Sequence, residues 1–283
     1  MIKADSIRFV CLGVLTLLGE TVITLSFSDN TANDFLGFSI AFLMSLGTIL
    51  LIKRILKTWS AKNFRCKKTL TLAASLILAF TLFAVALFTV YEFSRYAAEV
   101  MLSLRDIFLP FLSISLVALL YTKNKNLFLK AALLLFLPTV VIIIGTFCFS
   151  APFMSFKYLV PYKPLSLGFT DSFFSLFSVL TISALPILFF GRKLSGKTVT
   201  GIFLITFVLF TAITVNVIAL FGSELAATLS YPYSSAVSTA TLSEVFSRMD
   251  GFLYALSIFT CLIKISVCTG AGYYLLKTAV SKI

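Results

Sequence analysis

The sequence predicts an all-α integral membrane protein of about eight transmembrane helices with both termini in the cytoplasm, and three observations carry that prediction. Of the 283 residues, 59% are hydrophobic and 12% charged, and 31 are phenylalanine, which is more apolar surface than a soluble domain of this length can hide. The apolar residues fall in unbroken stretches close to the ~20 that a helix needs to cross a bilayer core, without the period-2 alternation of a membrane β-barrel. Finally, the charges are sorted by side. If the N-terminus is cytoplasmic, 17 of the 23 basic residues fall inside and five outside, whereas nine of the eleven carboxylates fall outside. Such a positive-inside bias supports an even number of spans.

In chain order, the first span is expected near 9–27. Lys3 and Arg8 ahead of an apolar run imitate a signal peptide, but no A-x-A-like site follows, so the run reads as a retained span. The second and third spans, near 35–52 and 69–91, flank a strongly basic inner loop. The fourth, near 107–122, is short and carries Pro110 close to its start, so it tilts, lies half-buried or begins as a broken helix. The fifth, sixth, seventh and eighth are expected near 131–149, 172–191, 198–222 and 251–276. Two outer connections are long: 150–171, with Pro152, Pro161 and Pro164, and 223–250, rich in Ser and Thr. Within the second, Ala236 to Phe246 reads either as a short helix at the interface or plugging a cavity, or as a solvated connection. No stretch reads as a separate soluble domain or an internal repeat, so residues 1–283 are expected to form a single transmembrane domain.

Composition also excludes chemistries. With no histidine, there is no histidine base, no histidine metal ligand and no Ser-His-Asp triad. The five cysteines form no CxxC pair and mostly fall inside spans, as buried small hydrophobes do. No Gly-x-Ser-x-Gly motif and no pair of Asp residues within spans points to an intramembrane enzyme, and neither metal nor cofactor is expected. The net charge of +12 requires no nucleic acid, because a basic inner rim facing anionic headgroups accounts for it.

Two ionisable residues lie within spans, where an unpaired charge costs several kcal/mol. Lys264 is too central in CLIKISVCTG to reach either headgroup layer, so it faces a cavity or a partner, or is satisfied by carbonyls and hydroxyls for packing. Glu20 stands between Gly19 and Thr21, a sequence at which a helix can unwind to offer backbone groups to a ligand; alternatively the span is shifted and the carboxyl lies at the outer interface. An ion pair between Glu20 and Lys264 would satisfy both. The sixth span strings Ser172, Ser175, Ser178, Thr181 and Ser183 ahead of Pro186, which frees a carbonyl near Ile182. Such a helix bends or breaks around a substrate, or its hydroxyls are packing contacts. Asn216 in the seventh span is ambiguous in the same way.

Three stretches resemble the endospore germination permeases, the membrane B subunit of nutrient germinant receptors, within the amino acid-polyamine-organocation transporter superfamily. LPFLSISLVALLYTKNKNLFLKAALLLFLP (109–138) resembles that family's fourth span, basic loop and fifth span. LVPYKPLSLGFTDSFFSLFSVLTISALPILFF (159–190) resembles its outer proline loop and sixth span. In 229–266, Tyr231, Pro232, Arg248, Asp250 and Lys264 match its Tyr-Pro segment, Arg-x-Asp helix start and Lys-containing eighth span. Gly19 and the Asn33-Asp34 start of the second span fit the pattern loosely.

The resemblance implies a LeuT-like inverted-repeat fold of ten spans. This sequence supplies eight, so the expected second repeat is short of its last two helices, which favours sensing over transport. It also implies a ligand site between spans one and six with span eight alongside: Gly19, Glu20 and Thr21 opposite Ser178, Thr181 and Ser183, with Lys264 beside them. The expected function is binding of a small nutrient germinant of amino acid type and signalling to other germinant receptor subunits, in the cell membrane and specifically the spore inner membrane. A secondary amino acid transporter and a ligand-free membrane scaffold are the alternatives.

Overall fold

Hydrocarbon offers a peptide group no water to bond, so a chain this apolar must satisfy its backbone internally, and every long element is a helix. The structure, a computed structural model, describes residues 2–23, 27, 30–61, 67–102, 125–160, 169–190, 195–239 and 249–280. Among these, the helices are α1 (Ile2–Ile23), α2 (Thr31–Ala61), α3 (Lys67–Tyr96, running on into a wider turn at Ala97–Leu102), α4 (Lys125–Ser150), α5 (Phe169–Phe190), α6 (Gly196–Thr228), α7 (Pro232–Thr239) and α8 (Met249–Val280). Six stretches are long and apolar enough to cross a membrane: Asn33–Ile55, Ala73–Glu99, Phe128–Phe153, Ser172–Phe189, Gly196–Thr228 and Leu256–Lys277. A shorter apolar run, Ser6–Gly19, lies in α1. The chain is therefore an all-α, multi-pass membrane protein. The expected span at 107–122 lies outside the described residues.

Hydroxyls in these helices mostly bond their own backbone. Thr16, Thr89, Thr139, Thr206 and Thr214 each donate to the carbonyl four residues earlier, at 2.7 to 3.0 Å. A polar side chain satisfied within its own turn can be buried without a partner helix.

Helix α8 lies against α3 and α1, and α2 against α5. The α3–α8 pair is antiparallel. Near the end of α3, Tyr96 clusters with Cys261 in the first half of α8, while Gly272 near the end of α8 meets the Phe83 ring and the Ala79 carbonyl earlier in α3. Helix α4 runs the same way as α3: its start, at Phe128 and Leu129, packs on Leu12 and Leu15, and its far end reaches α7 through Thr146 and Tyr233.

The interior is built on α1, α6 and α8. In α8, 72% of the most apolar window is buried, and in α6 61%, against 22% in both α3 and α4, so the last two form the rim. Phe38 and Phe42 of α2 pack edge-on or tilted against Phe210 of α6 at centroid distances of 5.4 and 5.5 Å, and Phe27 extends the cluster.

Helix α6 begins on a Ser195 cap, whose hydroxyl accepts from the Thr198 amide at 3.1 Å. It is interrupted at Gly222, where φ is +74° and ψ 161°, a conformation essentially reserved for glycine that costs other L-residues about 1–3 kcal/mol. The carbonyl of Ala219 at this break accepts from the Ser155 amide at 2.7 Å, and the Tyr158 ring lies 3.4 Å from where a Gly222 side chain would start. Part of the connection after α4 thus replaces a missing turn of helix. By contrast, α5 continues as helix through Pro186, and α1 continues through Gly19, Glu20 and Thr21 to Ile23.

Candidate functional site: a buried lysine between α1 and α8

Lys264 is in the middle of α8 on a face made of Ser257, Thr260, Cys261, Lys264, Cys268 and Ala271, spaced at three or four residues and all buried. That spacing makes one stripe of a helix, and the stripe faces the bundle. At 1% exposure, Lys264 is the buried cation among the described residues. Opposite it is Gly19. A Cβ at Gly19 would lie 3.2 Å from the Thr260 carbonyl oxygen, 3.4 Å from Lys264 Cβ and 3.5 Å from Lys264 Cδ. The lysine's aliphatic stem therefore lies along the α1 backbone, in a space that a larger residue at 19 would fill.

On this stripe Thr260 Oγ1 donates to the Leu256 carbonyl at 3.0 Å, and elsewhere on α8 Ser266 Oγ donates to the Leu262 carbonyl at 2.7 Å. Leu12 and Leu15 of α1 pack with Ile263 and Val267, the apolar neighbours of Lys264 along α8.

The other expected site residues are distributed unevenly. Gly19 and Lys264 are brought together. The backbone of Glu20 and Thr21 continues α1 beyond Gly19; their side chains lie outside the description. Thr181 turns to α2, where its hydroxyl donates to Ser45 Oγ at 3.1 Å. Ser178 is exposed, with its hydroxyl donating to the Ser175 carbonyl at 2.9 Å. Ser183 is buried, on the face of α5 opposite Thr181.

A second buried charge is not among the expected site residues. Asp34, fully inaccessible, occupies the first turn of α2, and Ser172 in the first turn of α5 donates to its Oδ1 at 3.0 Å. Asn30 and Asn33 are buried beside it, and the Asp34 amide donates to the Asn30 carbonyl at 3.1 Å. Gly37 permits this contact, since a Cβ there would come within 3.0 Å of the Phe169 carbonyl oxygen. The spacing of Asn30, Asn33, Asp34 and Gly37 at i, i+3, i+4 and i+7 was the available signal, because it places all four on one helical face.

Two further polar contacts tie α4 to α6 and α7. Ser150 and Asn216 join α4 to α6 through a bond of 2.8 Å, and the Thr146 and Tyr233 hydroxyls join α4 to α7 at 3.1 Å. At the end of α3, Arg95 and Glu99 form an exposed ion pair at 3.0 Å. Beside it, Tyr231 packs edge-on against Tyr96, and burial, helped by Glu99, pushes its phenol up to about 12. Arg248 lies outside the described residues, as does the side chain of Asp250.

No family model, no curated protein and no solved structure matches this chain.

Proposed function

We propose that the protein is a germination-permease-like membrane receptor subunit that binds a small nutrient germinant of amino acid type at the α1–α8 contact and signals to partner subunits in the spore inner membrane. The observation that carries the reading is Lys264, a charge buried at mid-helix against a glycine whose missing side chain makes room for it. Intramembrane ionisable residues that face a bundle interior mark ligand or ion paths far more often than they stabilise a fold. The sequence resemblance at 109–138, 159–190 and 229–266 supplies the family. In this reading the chain crosses the membrane eight times with both termini cytoplasmic, following the distribution of lysine and arginine.

Binding and flux separate the reading from its main rival. The purified protein, reconstituted alone into proteoliposomes, is expected to bind labelled amino acid at equilibrium without accumulating it in the lumen. Concentrative uptake would make it a secondary transporter. Absence of binding across the standard L-amino acids would remove the amino acid reading altogether.

A further inference from the structure

We infer that the polar cluster of Thr146, Ser150, Asn216 and Tyr233, where α4, α6 and α7 meet, is a binding site for an alkali cation. All four residues are 2% exposed or less. None of them belongs to the α1–α8 contact, so the inference stands apart from the reading of that contact.

The hydrogen bonds decide the sign of the ligand, because each hydroxyl has one proton to give. Thr146 donates to the Ile142 carbonyl, so its 3.1 Å contact with Tyr233 takes the phenol proton. Ser150 Oγ lies 2.5 Å from the Thr146 carbonyl, 2.8 Å from the Asn216 amide group and 3.4 Å from the Phe147 carbonyl. Its proton belongs to the nearest of these, the Thr146 carbonyl. With Oδ1 toward Ser150, the Asn216 contact is then two oxygens with no proton between them, and Nδ2 is buried with no hydrogen-bond partner among the described residues. Turned over, the amide donates to Ser150 Oγ through Nδ2, and the atom left without a partner is an oxygen. Every hydroxyl proton of the cluster is committed, and what the cluster offers is oxygen lone pairs. A buried polar atom left over in this way calls for a bound ion or water.

The helix ends favour the ion. Ser150 is the last residue of α4, and Asn216 is less than two turns before the break in α6 at Gly222. Carbonyls that close a helix lack amide partners and give that end partial negative charge. Two such ends converge on the contact between Ser150 and Asn216, and the C-terminal ends of interrupted membrane helices coordinate cations in this manner. The same atoms select the class of cation. Among the described residues no three His, Cys, Asp or Glu side chains gather into a metal site, and the oxygens here are neutral. Neutral oxygens suit a hard ion, and one charge costs less than two to bring out of water.

The test follows the melting temperature of the purified, detergent-solubilised protein as choline chloride is replaced by lithium, sodium or potassium chloride at constant total salt. At least one alkali ion is expected to raise it above the choline value in a saturable manner, since an ion bound by the folded state alone stabilises by mass action. Asn216→Leu and Ser150→Ala are each expected to raise the half-saturating concentration about tenfold or more, the size of one lost contact to a charge. Asn216→Asp, which keeps an oxygen and adds a negative charge, should bind the ion at least as well as the wild type. Ser172→Ala, which alters the α2–α5 contact, should keep the wild-type ion dependence.

If all three ions act as choline does, the cluster holds at most a water and the inference is wrong. If Asn216→Leu and Ser150→Ala respond to the ion as the wild type does, the ion binds elsewhere, and the assignment is overturned as well. Should Asn216→Leu not fold, Ser150→Ala and Asn216→Asp decide.

Discussion

Among the described residues, Asp34 and Lys264 are charged residues buried to the same depth, and their surroundings have little in common. Asp34 lies where two helices begin. The N-terminus of α2 carries partial positive charge, Ser172 donates to the carboxylate, and Asn30 and Asn33 are buried on the same face. Lys264 is about fifteen residues from either end of α8, where the helix dipole offers nothing, and the nearby hydroxyls already bond their own backbone. The first charge ties α2 to α5 through the bond it accepts from Ser172. The second lies at mid-helix beside a glycine of α1, and a cation at that depth is the better candidate for function.

Reversing the charge at each position should break this comparison most sharply. Lys264→Glu places an anion where the protein has accommodated a cation, and mis-pairing a buried charge costs about 3–5 kcal/mol. The expected outcome is loss of monodisperse protein in mild detergent. If Glu20 is the residue that answers Lys264 in the unliganded state, adding Glu20→Lys should restore a normal gel-filtration profile. A double mutant no better than Lys264→Glu would show that the two do not form a pair.

At the start of α2 the expected loss is smaller and of a different kind. Asp34→Leu removes the acceptor for Ser172, and Ser172→Ala removes the donor. Leaving a buried partner unsatisfied costs about 1–3 kcal/mol, with the hydroxyl change nearer the lower figure. Both should lower the melting temperature, and the double mutant should lose less than the sum because the two share one bond. Ligand affinity should be unchanged in each. A variant that kept its stability but lost binding would move Asp34 from the structural to the functional side of the comparison.

The difference between the two charges was only half legible in the sequence. Lys264 stood out because a cation inside an apolar run has no cheap explanation. Asp34 did not, because a carboxylate at the edge of a span reads as an outer-loop charge, and its burial depends on Ser172 arriving from 138 residues away. Helical rotation was the other blind spot. In a soluble helix the polar face marks solvent, but lipid-facing and core-facing surfaces here are equally apolar, so nothing announced that Thr181 turns to Ser45 or that Ser178 is exposed. Breaks were also misjudged in location. Proline and the Gly-Glu-Thr triplet were the expected sites, yet α5 continues as helix through Pro186, while Gly222 interrupts α6 with the Ser155 amide and Tyr158 ring to support it. The all-helical class was readable because it follows from apolar length alone.

The smallest effect is expected where charge is exposed. Arg95 and Glu99 are paired at 3.0 Å one turn apart, with side chains 53% and 44% accessible, so solvent and salt screen most of their attraction. Arg95→Ala should therefore leave the melting temperature within measurement error at moderate ionic strength, in contrast to Asp34→Leu and more so to Lys264→Glu. Tyr231, which packs on Tyr96 and connects α6 to α7, gives this prediction its sensitivity. If the arginine mattered through Tyr231 and not through Glu99, Arg95→Ala would destabilise while Glu99→Gln would not. In that case exposure would no longer sort the charges of this protein by consequence, and the contact between α3 and the α6–α7 connection would join the two buried charges as a third determinant.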